Sequence, residues 1–290
     1  DKTRPVPERV TMDGGIGFWG SVGGLVLILA LTILPLKAVG AESAHACGAI
    51  DCDEFVADPT DRASLQNGAR LYMNYCKGCH SLQYSRYNRV AQDLGIPEDL
   101  VLANLMFDPN VKIGALMDNA MDDGTAKVWF GATPPDLTLV ARARAAAGRT
   151  GPEWLYTYLR SFYRDDSRPY GVNNRVFKDV GMPHVMLEVQ GMQECAMGPV
   201  RADNGGVKRD PLTGEDILEE PCGTFTITEA GEMTAEEFDA ATYDLVNFLA
   251  YIAEPIATDR KRIGTFVLLF ITLFFVFAWL LNREYWKDVH

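Results

Sequence analysis

Residues 74–81 read Asn-Tyr-Cys-Lys-Gly-Cys-His-Ser, NYCKGCHS in one-letter code, and the role of Cys76, Cys79 and His80 decides what kind of protein surrounds them. A redox dithiol would place its Cys-x-x-Cys after a strand in an α/β pattern. A structural zinc site would need a second Cys/His cluster to complete four ligands. Attachment of a c-type haem needs only what is present: two thiols to add to the haem vinyl groups, and an adjacent imidazole to ligate the iron.

The flanking sequence favours the third reading. The motif ends an amphipathic stretch, DRASLQNGARLYMNYC, in which Leu65, Ala69, Tyr72 and Cys76 recur at helical spacing. The remaining cysteines, Cys47, Cys52, Cys195 and Cys222, are dispersed, and only His45, His184 and His290 lie outside the motif. No second metal-ligand cluster is legible. The four spare cysteines allow three disulfide connectivities, and the sequence-local pairing Cys47–Cys52 and Cys195–Cys222 is expected in an oxidising compartment.

Further along, residues 97–107, 112–121 and ATPPDLTLVARARAA read as helices, the last entered through a Pro-Pro turn. GPEWLYTYLRSFYRD starts helically at Pro152. Residues 165–232 are rich in Gly, Pro, Asn and Asp and predict loops with a short hairpin. Thr234 and Glu237 have capping-box spacing, and Phe238, Ala241, Leu245, Phe248, Leu249 and Ile252 then line one helical face. The part between the two apolar spans is therefore mostly α, with a long structured loop.

Those spans fix the setting. Ile263 to Leu281 carries no charge and makes about 28 Å of helix, close to the hydrocarbon thickness of a bilayer. Trp279, Tyr285 and Trp286 fall where an interfacial aromatic belt lies. Gly14 to Leu36 is also uncharged. Its basic flank and the small residues of AVGAESA fit a secretory signal as well, and a retained helix is the expectation. The segment between the spans is then translocated. Arg260, Lys261 and Arg262 before the last span oppose that orientation by the positive-inside rule, but haem attachment to Cys-x-x-Cys-His occurs outside the cytoplasm, and the chemistry outweighs the charge count. A formal net charge of −12 sets nucleic acid aside as a partner and suits a basic protein.

The sixth iron position decides between electron carrier and ligand-binding enzyme. Met106, Met117 and Met121 sit in helical patterns as core filler, and Met73 is too near Cys76 to reach the opposite haem face. Met186, Met192, Met197 and Met233 are not excluded by position. Met182 lies in VGMPHV, between Gly181 and Pro183, in the kind of rigid loop that can lay a thioether over a haem. His184 is its rival.

CKGCH, then PPDLTLVARAR, GMP, NFLAYIAEP, DRKRIG and the ending LLNREYWKDVH occur in an order that resembles the cytochrome c1 family, bacterial in type, over roughly residues 60–290. That family is the haem subunit of the cytochrome bc1 complex, ubiquinol–cytochrome c oxidoreductase. The resemblance implies a class I cytochrome c-like haem domain with long loop insertions, flanked by N-terminal and C-terminal transmembrane helices. The expected boundaries are 1–40 for the N-terminal segment with its helix and 41–260 for a periplasmic haem domain. The anchor is expected at 261–282 and a cytoplasmic tail at 283–290.

It also implies one covalent haem c held by Cys76 and Cys79, with His80 and Met182 as iron ligands. Arg144 is then expected to support a haem propionate, and Pro134 and Pro135 to wall the ring. The implied partners are membrane lipid, cytochrome b, the Rieske iron–sulfur protein and an accepting cytochrome c, in a dimeric complex of the bacterial inner membrane. Such a subunit carries electrons, and the catalysis belongs to the complex. The rival readings are a membrane-anchored cytochrome c subunit of a terminal oxidase, a haem peroxidase-like enzyme with an open sixth position, and a structural membrane protein whose Cys-x-x-Cys-His is accidental.

Overall fold

The fold is organised by the crossing of two helices, α1 (Arg62–Leu71) and α8 (Ala235–Ala253), in a computed structural model that describes residues 46–48, 50–119, 121–199 and 206–287. The side chains of 196–198 and 218–224 are excepted. The expected N-terminal helix lies outside the described residues.

Gly68 makes the crossing possible. A Cβ there would meet the Asp244 carbonyl oxygen at 2.0 Å and the Phe248 Cβ at 2.6 Å, so the two backbones come closer than any side chain permits. Around that point Tyr72 packs on Phe248 with ring centroids 5.9 Å apart, and Asn67 Nδ2 donates to Asp244 Oδ2 at 2.7 Å. Asn247 is fully buried. Its Nδ2 donates to the Asp58 carbonyl and to Ser64 Oγ, while its Oδ1 accepts from the Asp58 N–H. An unpaired amide in this place would be costly, and the pairing instead fixes the chain leading into α1.

Both helices start as their sequences dictate. Asp61 caps α1 by accepting from the Ser64 N–H. Thr234 and Glu237 close a reciprocal capping box on α8, satisfying two end N–H groups that would otherwise lack partners. The apolar stripe of α8 read from the sequence is buried at every position, from Phe238 to Ile252. At its C-terminal end α1 widens into a π-helical turn, Tyr72–Cys76, with the Lys77 N–H bonded to the Tyr72 carbonyl. The amphipathic stretch thus reaches Cys76, but through a local change of pitch.

Between these helices run β1 (Leu82–Arg86), α2 (Tyr87–Leu94), α3 (Glu98–Asn104), β2 (Leu116–Met117), α4 (Asp123–Phe130) and α5 (Val140–Ala143). They are followed by α6 (Gly151–Arg160), β3 (Phe162–Arg164), β4 (Val172–Asn174), α7 (Leu187–Gln190), β5 (Gly191–Pro199) and β6 (Leu218–Ala230). The helices α5 and α6 both pack on α8. A second capping box, Thr150 with Glu153, starts α6.

Three local expectations are corrected. The described residues of 112–121 do not form a helix: Leu116 and Met117 pair with β1, and the Ile113 and Ala115 carbonyls accept from Asn88 and Tyr87. Pairing to a distant strand offers these groups better partners than a short helix interrupted by Gly114. The helix at 151 ends at Arg160 instead of running through Asp165, because Phe162–Arg164 pairs antiparallel with Val172–Asn174. The loop region holds a long antiparallel hairpin, β5 with β6, latched to β3 by Arg164, which pairs with Glu194 and Glu229.

The chain then enters α9 (Ala257–Tyr285), 29 residues with none buried. It is long and apolar enough to cross a membrane. Cys47 and Cys52 are bonded as expected. Cys195 is also disulfide-bonded, while the side chain of Cys222 lies outside the described residues.

Candidate functional site

Cys76 closes the π turn, and its carbonyl accepts from the N–H groups of Cys79 and His80 at 3.1 and 2.9 Å. This tight turn gathers both thiols and the imidazole at one wall of a cavity of about 340 Å³. Both thiols are free. Burial, and secondarily the neighbouring Cys79, pushes the Cys76 thiol up to about 12, and burial also raises that of Cys79. A redox dithiol needs the opposite shift, because the thiolate is its nucleophile. Nor do three or more His, Cys, Asp or Glu side chains gather as a metal site among the described residues.

His80 is held from two sides. Its carbonyl accepts from the Tyr72 hydroxyl at 2.7 Å. Its Nδ1 lies 2.7 Å from the carbonyl oxygen of Pro135. That contact requires the proton on Nδ1 and leaves the lone pair on Nε2, the arrangement a metal-binding imidazole needs. Burial lowers the pKa of the ring against the opposing pull of the Pro135 carbonyl and Asp136, which favours the neutral form.

The Pro134–Pro135 turn is itself tied to the cysteine loop through Asp136. One Asp136 carboxylate oxygen accepts from Ser81 Oγ at 2.8 Å and from the Gln83 N–H at 2.7 Å. The other accepts from the Thr138 N–H at 2.9 Å, and the Ser81 carbonyl accepts from the Leu137 N–H. Burial works to raise the Asp136 pKa, but these hydrogen bonds together hold it below the usual carboxylate value. Sequence reading passed over Asp136 because an Asp after Pro-Pro is ordinary turn chemistry.

Met182 lines the same cavity. Its loop is approached through Asp179, whose φ of 60° lies in the left-handed region. That conformation is held by the Asp179 N–H donating to Asn173 Oδ1 and by Arg168, which donates to the Asp179 carbonyl and pairs with its carboxylate. The sulfur of Met182 accepts from the Tyr158 hydroxyl at 3.3 Å. Among the described residues Met182 is the one methionine that borders this cavity. Met186 and Met117 are buried in the core, and the side chain of Met197 is outside the described residues. His184 does not border the cavity: its ring stacks on Phe162 at 4.9 Å with planes 1° apart, and burial lowers its pKa to about 4.

Arg144 also borders the cavity. Its guanidinium lies 4.3 Å from the centroid of the Trp154 ring and 5.8 Å from that of Phe177. No carboxylate of the described residues pairs with it, so a cation stands at the wall without an anion. The remaining walls are apolar, with Pro134, Leu155, Leu159, Val180, Leu245 and Leu249 among them. Trp154 and Tyr158 were missed in the sequence, where their i, i+4 spacing reads as core packing.

A family model described as the Cytochrome C1 family matches residues 53–196 and 224–289. The chain belongs to the cytochrome c1 family. It is 49% identical to a cytochrome c1 of Allochromatium vinosum over 80% of this chain and 87% of that one. It is 38% identical to a protein named ammonia monooxygenase gamma subunit in Nitrosomonas europaea, over 91% of this chain and 97% of that one. With a cytochrome c1 of Rhodobacter capsulatus it shares 24% identity over 78% of this chain and 83% of the other.

The residues present fit a covalently held haem. Two free thiols, an imidazole with its lone pair on Nε2, a thioether and a guanidinium without a carboxylate partner among the described residues line one cavity with apolar side chains. The donor set matches a Met/His iron with two thioether bonds.

Proposed function

We propose that this chain is the haem c electron-transfer subunit of ubiquinol–cytochrome c oxidoreductase. It accepts electrons from the Rieske iron–sulfur protein and reduces a cytochrome c, beside cytochrome b in a dimeric complex of the bacterial inner membrane. Residues 41–260 form the periplasmic haem domain and 261–282 the anchor, with residues 1–40 on its N-terminal side and a cytoplasmic tail at 283–290. The observation that carries the reading is the convergence of Cys76, Cys79, His80 and Met182 on one apolar-walled cavity.

When bound, haem c supplies a one-electron ferric/ferrous couple. The chain does the rest. Cys76 and Cys79 hold the group covalently, so it survives repeated encounters with soluble partners. His80 offers Nε2 because its Nδ1–H donates a hydrogen bond to the Pro135 carbonyl. Met182 offers a soft thioether, which raises the potential relative to a second imidazole, as suits an acceptor downstream of an iron–sulfur centre. Arg144 stands ready for a propionate, and Pro134 and Pro135, with the Leu and Val side chains, exclude water and favour the less charged ferrous form. No acid–base chemistry is required of this subunit.

The test is a reduced-minus-oxidised spectrum of the chain purified in mild detergent with its native partners. Bands of both c-type and b-type haem, with the c-haem reduced on adding ubiquinol, are expected. A c-haem that stays oxidised with ubiquinol in an intact membrane preparation contradicts the assignment.

A further inference from the structure

Tyr158, at the cavity, is held by ring contacts on two sides and by a hydrogen bond at its hydroxyl. Its ring stacks on Trp154, one helical turn earlier in α6, at 4.9 Å with planes 8° apart. Phe162 meets it edge-on at 5.3 Å. Phe162 in turn stacks on His184, two residues beyond Met182, while Arg144 lies over Trp154. The ring is therefore gripped between neighbours that belong to the cavity wall and to the loop bearing Met182. Its buried hydroxyl has one hydrogen-bond partner among the described residues, the sulfur of Met182 at 3.3 Å.

A thioether sulfur has two lone pairs. One can go to a metal while the other accepts a hydrogen bond. A donor on the second pair draws electron density from the sulfur and weakens what it gives to ferric iron more than to ferrous iron. It also fixes a long side chain with three rotatable bonds, which left alone would sample several rotamers. We propose that Tyr158 is a positioning residue for Met182: its hydroxyl donates to Sδ, selects the rotamer that presents the sulfur to the haem iron, and biases that iron towards the ferrous form. The inference rests on the reading of Met182 as the iron ligand.

The experiment compares the native chain with Tyr158→Phe, each in its detergent-solubilised complex. The readings are the midpoint potential of the c-haem and the sulfur-to-iron charge-transfer band of the ferric protein. Tyr158→Phe is expected to load haem, to lower the midpoint and to shift the band. Tyr158→Leu, which also lacks the donor, gives the same reading should the Phe variant not load. Tyr156→Phe removes a hydroxyl on the same helix but from a ring packed on Phe55, and is expected to change neither reading. Unchanged midpoint and band in the donorless variants overturn the inference, as does an equal shift in Tyr156→Phe. A failure of the underlying reading is seen separately: the native ferric protein would lack the charge-transfer band, or Met182→Leu would retain it.

Discussion

The Nδ1 of His80 lies 2.7 Å from the carbonyl oxygen of Pro135, so the residue that offers the imidazole and the turn that orients it are separated in sequence but joined in space. The two prolines give that carbonyl a fixed direction, since each ring locks its own φ. Pro135→Gly keeps the carbonyl but frees the backbone. The expected result is an intact covalent haem with stability lowered by about 1 kcal/mol, from the greater freedom of the unfolded chain. Thermal unfolding followed at the haem absorbance checks this; an unchanged midpoint temperature would mean that the Asp136 contacts alone hold the turn.

Gly68→Ala adds one carbon where the backbone of α8 already stands. The partner at 2.0 Å is the Asp244 carbonyl oxygen and cannot swing aside as a flexible side chain could. The helices must separate, with a loss of about 1–3 kcal/mol, the usual cost of overpacking. Denaturant unfolding of the holoprotein measures it, and haem retention should fall in parallel because α8 supplies Leu245 and Leu249 to the cavity.

Asp136 predicts an acid-sensitive link between the Pro-Pro turn and the cysteine loop. Its folded pKa lies below the ordinary value of 3.8. A carboxylate with a depressed folded pKa stabilises the folded state fully above its unfolded pKa, and that contribution is lost as pH falls through the folded value. Between pH 3.8 and that lower value the native protein therefore loses stability, while Asp136→Asn, which does not titrate, shows a flatter acid limb from a lower plateau. Unfolding curves taken over that range for both proteins make the comparison. Equal slopes would remove Asp136 from the account.

Arg144 carries a positive charge at the cavity wall with no carboxylate of the described residues against it. A nearby cation disfavours the ferric state, which has one more positive charge than the ferrous state. Arg144→Gln is expected to lower the c-haem midpoint potential, and Arg144→Lys to lower it less, since the charge survives while the planar stack on Trp154 does not. Redox titration of the three proteins distinguishes this from a purely structural arginine, for which the Lys and Gln variants would have the same potential as the native protein.

The cysteine motif, the capping box at Thr234, the buried face of α8 and the apolar C-terminal helix were legible because each is a local pattern with a local cause. The site was legible only where its residues carry unusual chemistry, as Cys76, Cys79 and His80 do, or break the chain, as Pro135 does. Asp136 and Tyr158 escaped because each matters through partners distant in sequence, and neither residue type is unusual in its place. Residues 112–121 and 162–164 were misread as helix for a related reason. Their short helical patterns compete with strand pairing to β1 and β4, and propensity over so few residues is a weak determinant against tertiary hydrogen bonds. VGMPHV offers both a thioether and an imidazole; the residues alone left the two open, the family resemblance pointed to Met182, and in the fold Met182 borders the cavity while His184 stacks on Phe162.

The most direct test of the central claim is the mass of the proteolytic peptide containing residues 74–81 from protein purified out of its native membrane. The account predicts one haem on that peptide, joined by two thioether bonds to Cys76 and Cys79 and retained after denaturation and reduction. A peptide released with two unmodified thiols, or with a disulfide between them, would contradict it.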